Sequence, residues 1–238
     1  MTVPILVYHQ LDRPPPRGTP LRGLVVSPAS FARQMSALKL LGYRGLSMRD
    51  LEPYLTGEKN GKVVGITFDD GYQNNLHNAL PVLSKLGFSA TCYGLSGMMG
   101  GTNNWDHGLV ATKPLMTVDE WRLWIKAGME LGSHTRTHAK LTELSPEKAQ
   151  RQIVDAKREL EEMFGHEVRH FCYPYGSFEP EHCAMVRQAG YVTATTMNRG
   201  LNQTGDDPYQ LCRIMVACST HLALFLTKVL TGYEDRRR

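Results

Sequence analysis

Two adjacent carboxylates, Asp69 and Asp70, follow the apolar run Lys62-Val63-Val64-Gly65-Ile66, and Gly71 comes directly after them. The run is β-branched and reads as a buried strand, the glycine as a turn. Successive strand residues point to opposite faces, and a turn breaks even that register, so the two carboxylates need not share one job. One could hold a metal ion while the other moves protons; a solvated Asp-Asp-Gly turn is the plain alternative. His134 and His138 form a second candidate group, four residues apart. On one helical turn they would share a face and converge on one ion. Two imidazoles with one carboxylate leave coordination positions open to water and substrate. A pair of surface histidines on a polar loop would explain the spacing alone, but residues 128–132 before it read as a second strand.

Elements must bring these groups together. Strand candidates run over 3–8, 62–66, 89–93, 128–132, 169–173, 191–196 and 211–216, with helix candidates between them. Such alternation implies a parallel sheet. About seven strand–helix units, with chemistry following several strands, imply a barrel, whose site is built from loops at the strands' C-terminal ends. Ser27 reads as a helix cap with Pro28 first in the helix, followed by Phe31, Met35, Leu38 and Leu41 at helical spacing and by Gly42. Residues 47–55 repeat the capped pattern. Residues 75–86 read as a helix with Pro81 a kink or restart. Thr117 with Glu120 predicts a capping box. Residues 145–164 form an amphipathic pattern, 179–189 another helix, and 220–230 an apolar terminal one. Residues 94–114 and 197–209 read as loops. Within the first, Trp105 is either a stacking platform for a sugar ring or an anchor to the core.

The chain has 238 residues, enough for a single domain, 1–238, with a substantial core. Its formal charge is +4, and Arg236-Arg237-Arg238 supply three of the positive charges. No basic stripe with interleaved aromatics marks a nucleic-acid partner. No apolar run approaches the roughly 18 residues of a membrane span. No charged segment and apolar leader precede the first strand, which points to the cytoplasm unless a leader has been removed. Cys92, Cys172, Cys183, Cys212 and Cys218 are odd in number and lack a paired spacing, so they read as buried thiols in a reducing compartment. The apolar terminal helix and its basic tail would suit peripheral contact with an anionic membrane, although core packing explains the apolar part equally well.

Thr67-Phe68-Asp69-Asp70-Gly71-Tyr72 and His134-Thr135-Arg136-Thr137-His138 resemble the first two motifs of the polysaccharide deacetylases, the NodB-homology or family-four carbohydrate esterases. Phe171-Cys172-Tyr173-Pro174-Tyr175-Gly176 resembles their third. The likeness runs from about residue 3 to about residue 216. Tyr8-His9 resembles the opening of the branch that acts on poly-N-acetylglucosamine exopolysaccharides. The resemblance implies a distorted (β/α)7 barrel and a metal-dependent hydrolase that removes N-acetyl groups from an amino sugar of a glycan. It implies Asp70, His134 and His138 as ligands of one divalent ion, zinc before cobalt, nickel or iron. Asp69 would be the general base, the backbone N–H of Tyr175 would hold the oxyanion, and His9 would be the general acid. In other branches a late histidine serves as acid, for which His221 is the candidate. Two departures stand out. Cys172 occupies the place where most members carry an arginine holding the catalytic carboxylate, and Arg213 on the last strand could replace it. Asp206-Asp207-Pro208 lies in the region of the fourth motif without its tryptophan. Two other readings fit the chain: a relative on the same fold that hydrolyses another small amide, as a deformylase or cyclic-ureide hydrolase, and a catalytically silent sugar-binding module.

Overall fold

The structure, a computed structural model, describes residues 2–237, so Met1 and Arg238, the last residue of the basic tail, lie outside it. The strands of the main sheet are β1 (Ile5–Tyr8), β2 (Arg44–Leu46), β3 (Val63–Phe68), β4 (Thr91–Gly94), β5 (Glu130–Ser133), β6 (His170–Cys172), β7 (Thr193–Arg199) and β8 (Leu211–Met215). The helices between and after them are α1 (Pro28–Leu40), α2 (Met48–Leu55), α3 (Gln73–Asn78), α4 (Leu80–Leu86), α5 (Val118–Lys126), α6 (Pro146–Phe164), α7 (Pro180–Gln188) and α8 (Leu222–Leu230). Seven of the strands form a closed parallel ring in the order β1-β3-β4-β5-β6-β7-β8, and β8 pairs back to β1. The alternating pattern implied a parallel barrel, and this is the distorted (β/α)7 form that the motif resemblance implied.

β2 is the extra strand. It pairs with the first half of β3, whose second half pairs with β4 on the same edge. Its three residues escape a pattern search because the middle one, Gly45, gives no β-branched signal. A Cβ there would come 2.5 Å from Ile66 and 2.6 Å from the Phe88 ring. Only glycine allows that approach.

Capping residues start the helices where the sequence places them. Ser27 and Ser47 each accept a backbone N–H three residues on, and the Thr117–Glu120 box is formed in both directions. The segment read as one helix over 75–86 is two, α3 and α4, because Pro81 in the first turn of α4 starts a new helix after Ala79. Another difference lies at residues 197–199, expected as loop. β7 continues to Arg199, and a bulge separates its pairings Thr195↔Leu211 and Arg199↔Arg213. Four β7 steps against two on β8 leave Met197 out of register, turned to the rim. Among the cysteines, Cys92, Cys172 and Cys183 are buried as expected, whereas Cys212 and Cys218 are half-exposed, and no disulfide joins them.

The two ends of the barrel differ. At the N-terminal end, the first residues of β4 to β7 are Thr91, Glu130, His170 and Thr193, all buried. Glu130 accepts from the Thr91 hydroxyl at 2.6 Å, and the His170 Nδ1 meets the Thr193 hydroxyl at 2.8 Å. The His170 Nε2 faces Glu52 of α2 at 3.2 Å and Glu130 at 3.4 Å. A polar plug closes this end. The C-terminal ends of the strands carry the candidate chemistry.

Candidate active site

Asp69 and Asp70 follow β3 directly and separate at once. Asp70 has φ 74° and Gly71 φ 72°, two left-handed residues in a row. A Cβ on Gly71 would lie 2.8 Å from Trp121, so glycine is required there. Asp69, still extended from the strand, turns inward to Arg213. The two groups make a bidentate pair, 2.7 Å from Nη1 to Oδ1 and 2.7 Å from Nη2 to Oδ2, with both side chains buried. Burial opposes the Asp69 charge, yet the Arg213 guanidinium holds its carboxyl below the usual range. Arg213 is fixed in turn: its Nε donates to the Thr196 carbonyl at 2.7 Å and its Nη2 lies 3.2 Å from the Cys172 sulfur. Thus the arginine absent from the third motif has its functional place filled from β8, and Cys172 leaves the room that the guanidinium enters.

Asp70 faces the histidines. His134 and His138 were expected on one helical turn, and that expectation is corrected. β5 ends at Ser133 and the chain folds into an irregular turn with Thr135 at φ 70° and His138 at φ 59°. The Thr135 hydroxyl accepts the His138 N–H at 3.1 Å and closes the turn. The strained turn still brings both Nε2 atoms to Asp70 Oδ1, 3.4 Å from His134 and 3.2 Å from His138. That oxygen is buried with no hydrogen bond. The His134 Nδ1–H donates to the Cys172 carbonyl at 2.7 Å, which leaves the Nε2 lone pair free toward Asp70. Burial lowers the pKa of His138 and favours its neutral, ligating form. Burial opposes the charge of Asp70 as well, but His138 and His134 hold it well below the usual carboxylate range. Burial likewise opposes a charge on His134, but Cys172 and Asp70 raise its pKa; a dication at Nε2 competes with that proton. An orphaned carboxylate oxygen facing two imidazoles fits a divalent ion. Asp69, His134 and Cys172 form a second cluster of donor atoms. It fits less well, because both Asp69 oxygens already bind Arg213.

His9, at the end of β1, places its Nε2 3.9 Å from Asp69 Oδ2 and lines the same pocket of about 220 Å³. His221 does not line that pocket; it caps α8, where its ring accepts the Leu224 N–H. Tyr175 follows β6 at φ 60°, ahead of Gly176 at φ 67°, and the residue is 53% exposed. His138 is held between rings: Trp105 stacks on it at 4.4 Å and 29°, and Tyr175 meets it edge-on at 4.5 Å. Trp105 lines the pocket and packs against Tyr72 and His138. All seven predicted site residues, Asp69, Asp70, His134, His138, His9, Tyr175 and Trp105, line this one pocket. Leu21, Leu24, Asp106 and Met197 line it too and were not foreseen. None belongs to a motif; Met197 reaches it through the β7 bulge, and Leu21 through a left-handed backbone at φ 53°.

The polysaccharide deacetylase family model matches residues 56–194 of this chain. The chain belongs to the polysaccharide deacetylase family. The Bacillus subtilis protein YxkH is 30% identical over 217 residues, 90% of this chain and 71% of the relative. The poly-β-1,6-N-acetyl-D-glucosamine N-deacetylase of Staphylococcus epidermidis is 26% identical over 91% of this chain and 76% of its own length. Among solved structures, the deacetylase PplD of Streptococcus pyogenes in complex with acetate is 25% identical, with a TM-score of 0.83 over 96% of this chain and 98% of that one. Polysaccharide deacetylases are metal-dependent carbohydrate N-deacetylases, and the Asp70–His134–His138 set is the candidate metal site of this member.

Proposed function

We propose that this deacetylase removes N-acetyl groups from N-acetylglucosamine residues of a glycan, with Asp70, His134 and His138 holding one zinc ion. The observation that carries this reading is the meeting of two groups in one pocket: three convergent donor atoms, and a separate carboxylate neutralised by a buried arginine. The poly-N-acetylglucosamine deacetylase among the relatives supports the choice of sugar.

Amides resist water because the carbonyl is a weak electrophile and the amine a poor leaving group. A divalent ion on the three ligands would polarise the acetyl carbonyl and lower the pKa of water to about 7. The residues of the chain supply the rest. Asp69, kept ionised by Arg213, takes a proton from the attacking water. The Tyr175 backbone N–H, presented by its left-handed turn, donates to the developing oxyanion. His9, on the Asp69 side of the pocket, gives the leaving amine its proton. Trp105 and Tyr175 exclude water from the face of His138.

Acetate release from N-acetylglucosamine oligomers tests this reading. Chelator should abolish release and added zinc should restore it. Asp69→Asn should lower kcat by at least about 10³-fold, within the range seen for removal of a catalytic base, while one zinc remains bound. Activity that survives either treatment rejects the assignment. A chain that binds zinc but releases acetate from no oligomer, and hydrolyses formamide or ureide substrates instead, would move it to the small-amide reading.

A further inference from the structure

The metal pocket shares a wall with a second cavity of about 170 Å³. Leu21, Leu24 and Asp106 line both. Pro20, Val25, Val110 and Ala111 give the second chamber apolar walls, and Gln10 and Lys113 add polar groups. Two details single out the partition. Leu21 holds a left-handed backbone, a costly conformation for leucine, to stand in it. Asp106, at the end of the single turn Asn104–Asp106, brings a half-buried carboxylate whose one side-chain partner is Asn103 at a long 3.4 Å. It lines the metal pocket together with Asp70, His134 and His138, and burial and the charge of Asp70 raise its pKa.

Apolar walls beside a carboxylate suit a pyranose, which shows C–H groups on its faces and hydroxyls at its edge. We infer that the chamber holds the sugar residue next to the one being deacetylated, and that Asp106 accepts hydrogen bonds from hydroxyls at the junction of the two rings. Asp106 is thus a specificity residue that makes this enzyme act on chains of two or more sugars. The inference rests on the proposed deacetylase function. An open groove of about 640 Å³ also adjoins the metal pocket, but it shares only Met197 with it. The chamber shares three residues, so the neighbouring sugar is assigned there.

The test compares N-acetylglucosamine with its disaccharide on the zinc-loaded full chain. The wild type should show kcat/KM at least about tenfold higher on the disaccharide. Asp106→Asn, nearly isosteric, should raise the disaccharide KM about tenfold with little change in kcat, the effect of losing one charge-assisted hydrogen bond. Ala111→Trp, which fills the chamber, should bring the disaccharide-to-monosaccharide ratio near one. Thermal melting establishes that both variants are folded. Equal kcat/KM on the two sugars overturns the inference, as does a wild-type ratio in both variants. So does loss of the ratio in Asn198→Trp, on the Met197 side, in place of Ala111→Trp. Should the wild type release no acetate at all, the functional reading fails separately. Calorimetric binding of the disaccharide to wild type and Asp106→Asn then decides the chamber alone: about tenfold weaker binding supports it, and equal binding rejects it.

Discussion

Asp69 and Asp70 are neighbours in sequence with opposite surroundings, and Arg213 makes the difference. Removing it would leave Asp69 buried without its bidentate partner. Arg213→Ala should cost about 3–5 kcal/mol of stability, the usual result of breaking a buried pair from one side. It should also move activity along the pH axis. The guanidinium lowers the Asp69 pKa against a burial effect that raises it. Without the guanidinium, burial is opposed only by the weaker pull of His9 and His134, so the acidic limb of kcat/KM should shift to higher pH. A pH–rate profile of Arg213→Ala and Arg213→Lys would show it, with the lysine variant in between. An unmoved limb would mean that Asp69 is not the titrating base.

At the scale of elements, the chemistry stands on strained turns. Five non-glycine residues have positive φ among the described residues: Leu21, Asp70, Thr135, His138 and Tyr175. Four line the pocket and the fifth closes the histidine turn. Gly176 supports one of these turns, and a Cβ on it would come 2.5 Å from the Met197 Cβ. Gly176→Ala should therefore lower kcat sharply by displacing the Tyr175 N–H, with about 1–3 kcal/mol lost in melting experiments. Thr117→Ala, in the capping box of α5, should cost about 1 kcal/mol and leave kcat as it is. This contrast explains what was legible in the sequence. Strands, caps and motifs are local, and periodicity with residue type locates Asp69, Asp70, His134, His138 and the seven barrel strands. The left-handed turns are not local signals, since Thr135 and Leu21 carry no sign of unusual backbone. His134 and His138 therefore suggested a helical turn that the fold does not use. Met197 and Asp106 were hidden for another reason: a bulge and a long loop carry them to the rim, and neither follows from spacing.

Across the whole molecule, the plug at the far end of the barrel ties stability to pH. Burial opposes the Glu52 charge, but hydrogen bonds from His170 and Arg169 lower its pKa from 4.5 to about 2. A depressed carboxylate stabilises the fold above its ordinary pKa and loses that contribution as pH falls through the folded one. Because Glu52 keeps some contact with solvent, the contribution is on the order of 1–2 kcal/mol. Glu52→Gln should unfold at lower urea than wild type at pH 7, and the gap should narrow between pH 4.5 and pH 2. A constant gap would show that Glu52 keeps one charge state over that range.

The closing strand has a consequence for the order in which the enzyme comes into being. A ribosome adds about 5–20 residues per second and releases the chain from its N-terminal end. Asp70, His134 and His138 emerge well before Arg213, and β1, which leads to His9, finds its β8 partner only when residues 211–215 follow. A nascent chain could capture its ion while Asp69 still lacks its cation and the ring stands open. Metal loading would then precede catalytic competence during synthesis, and hydrolysis would switch on only as the last strand docks.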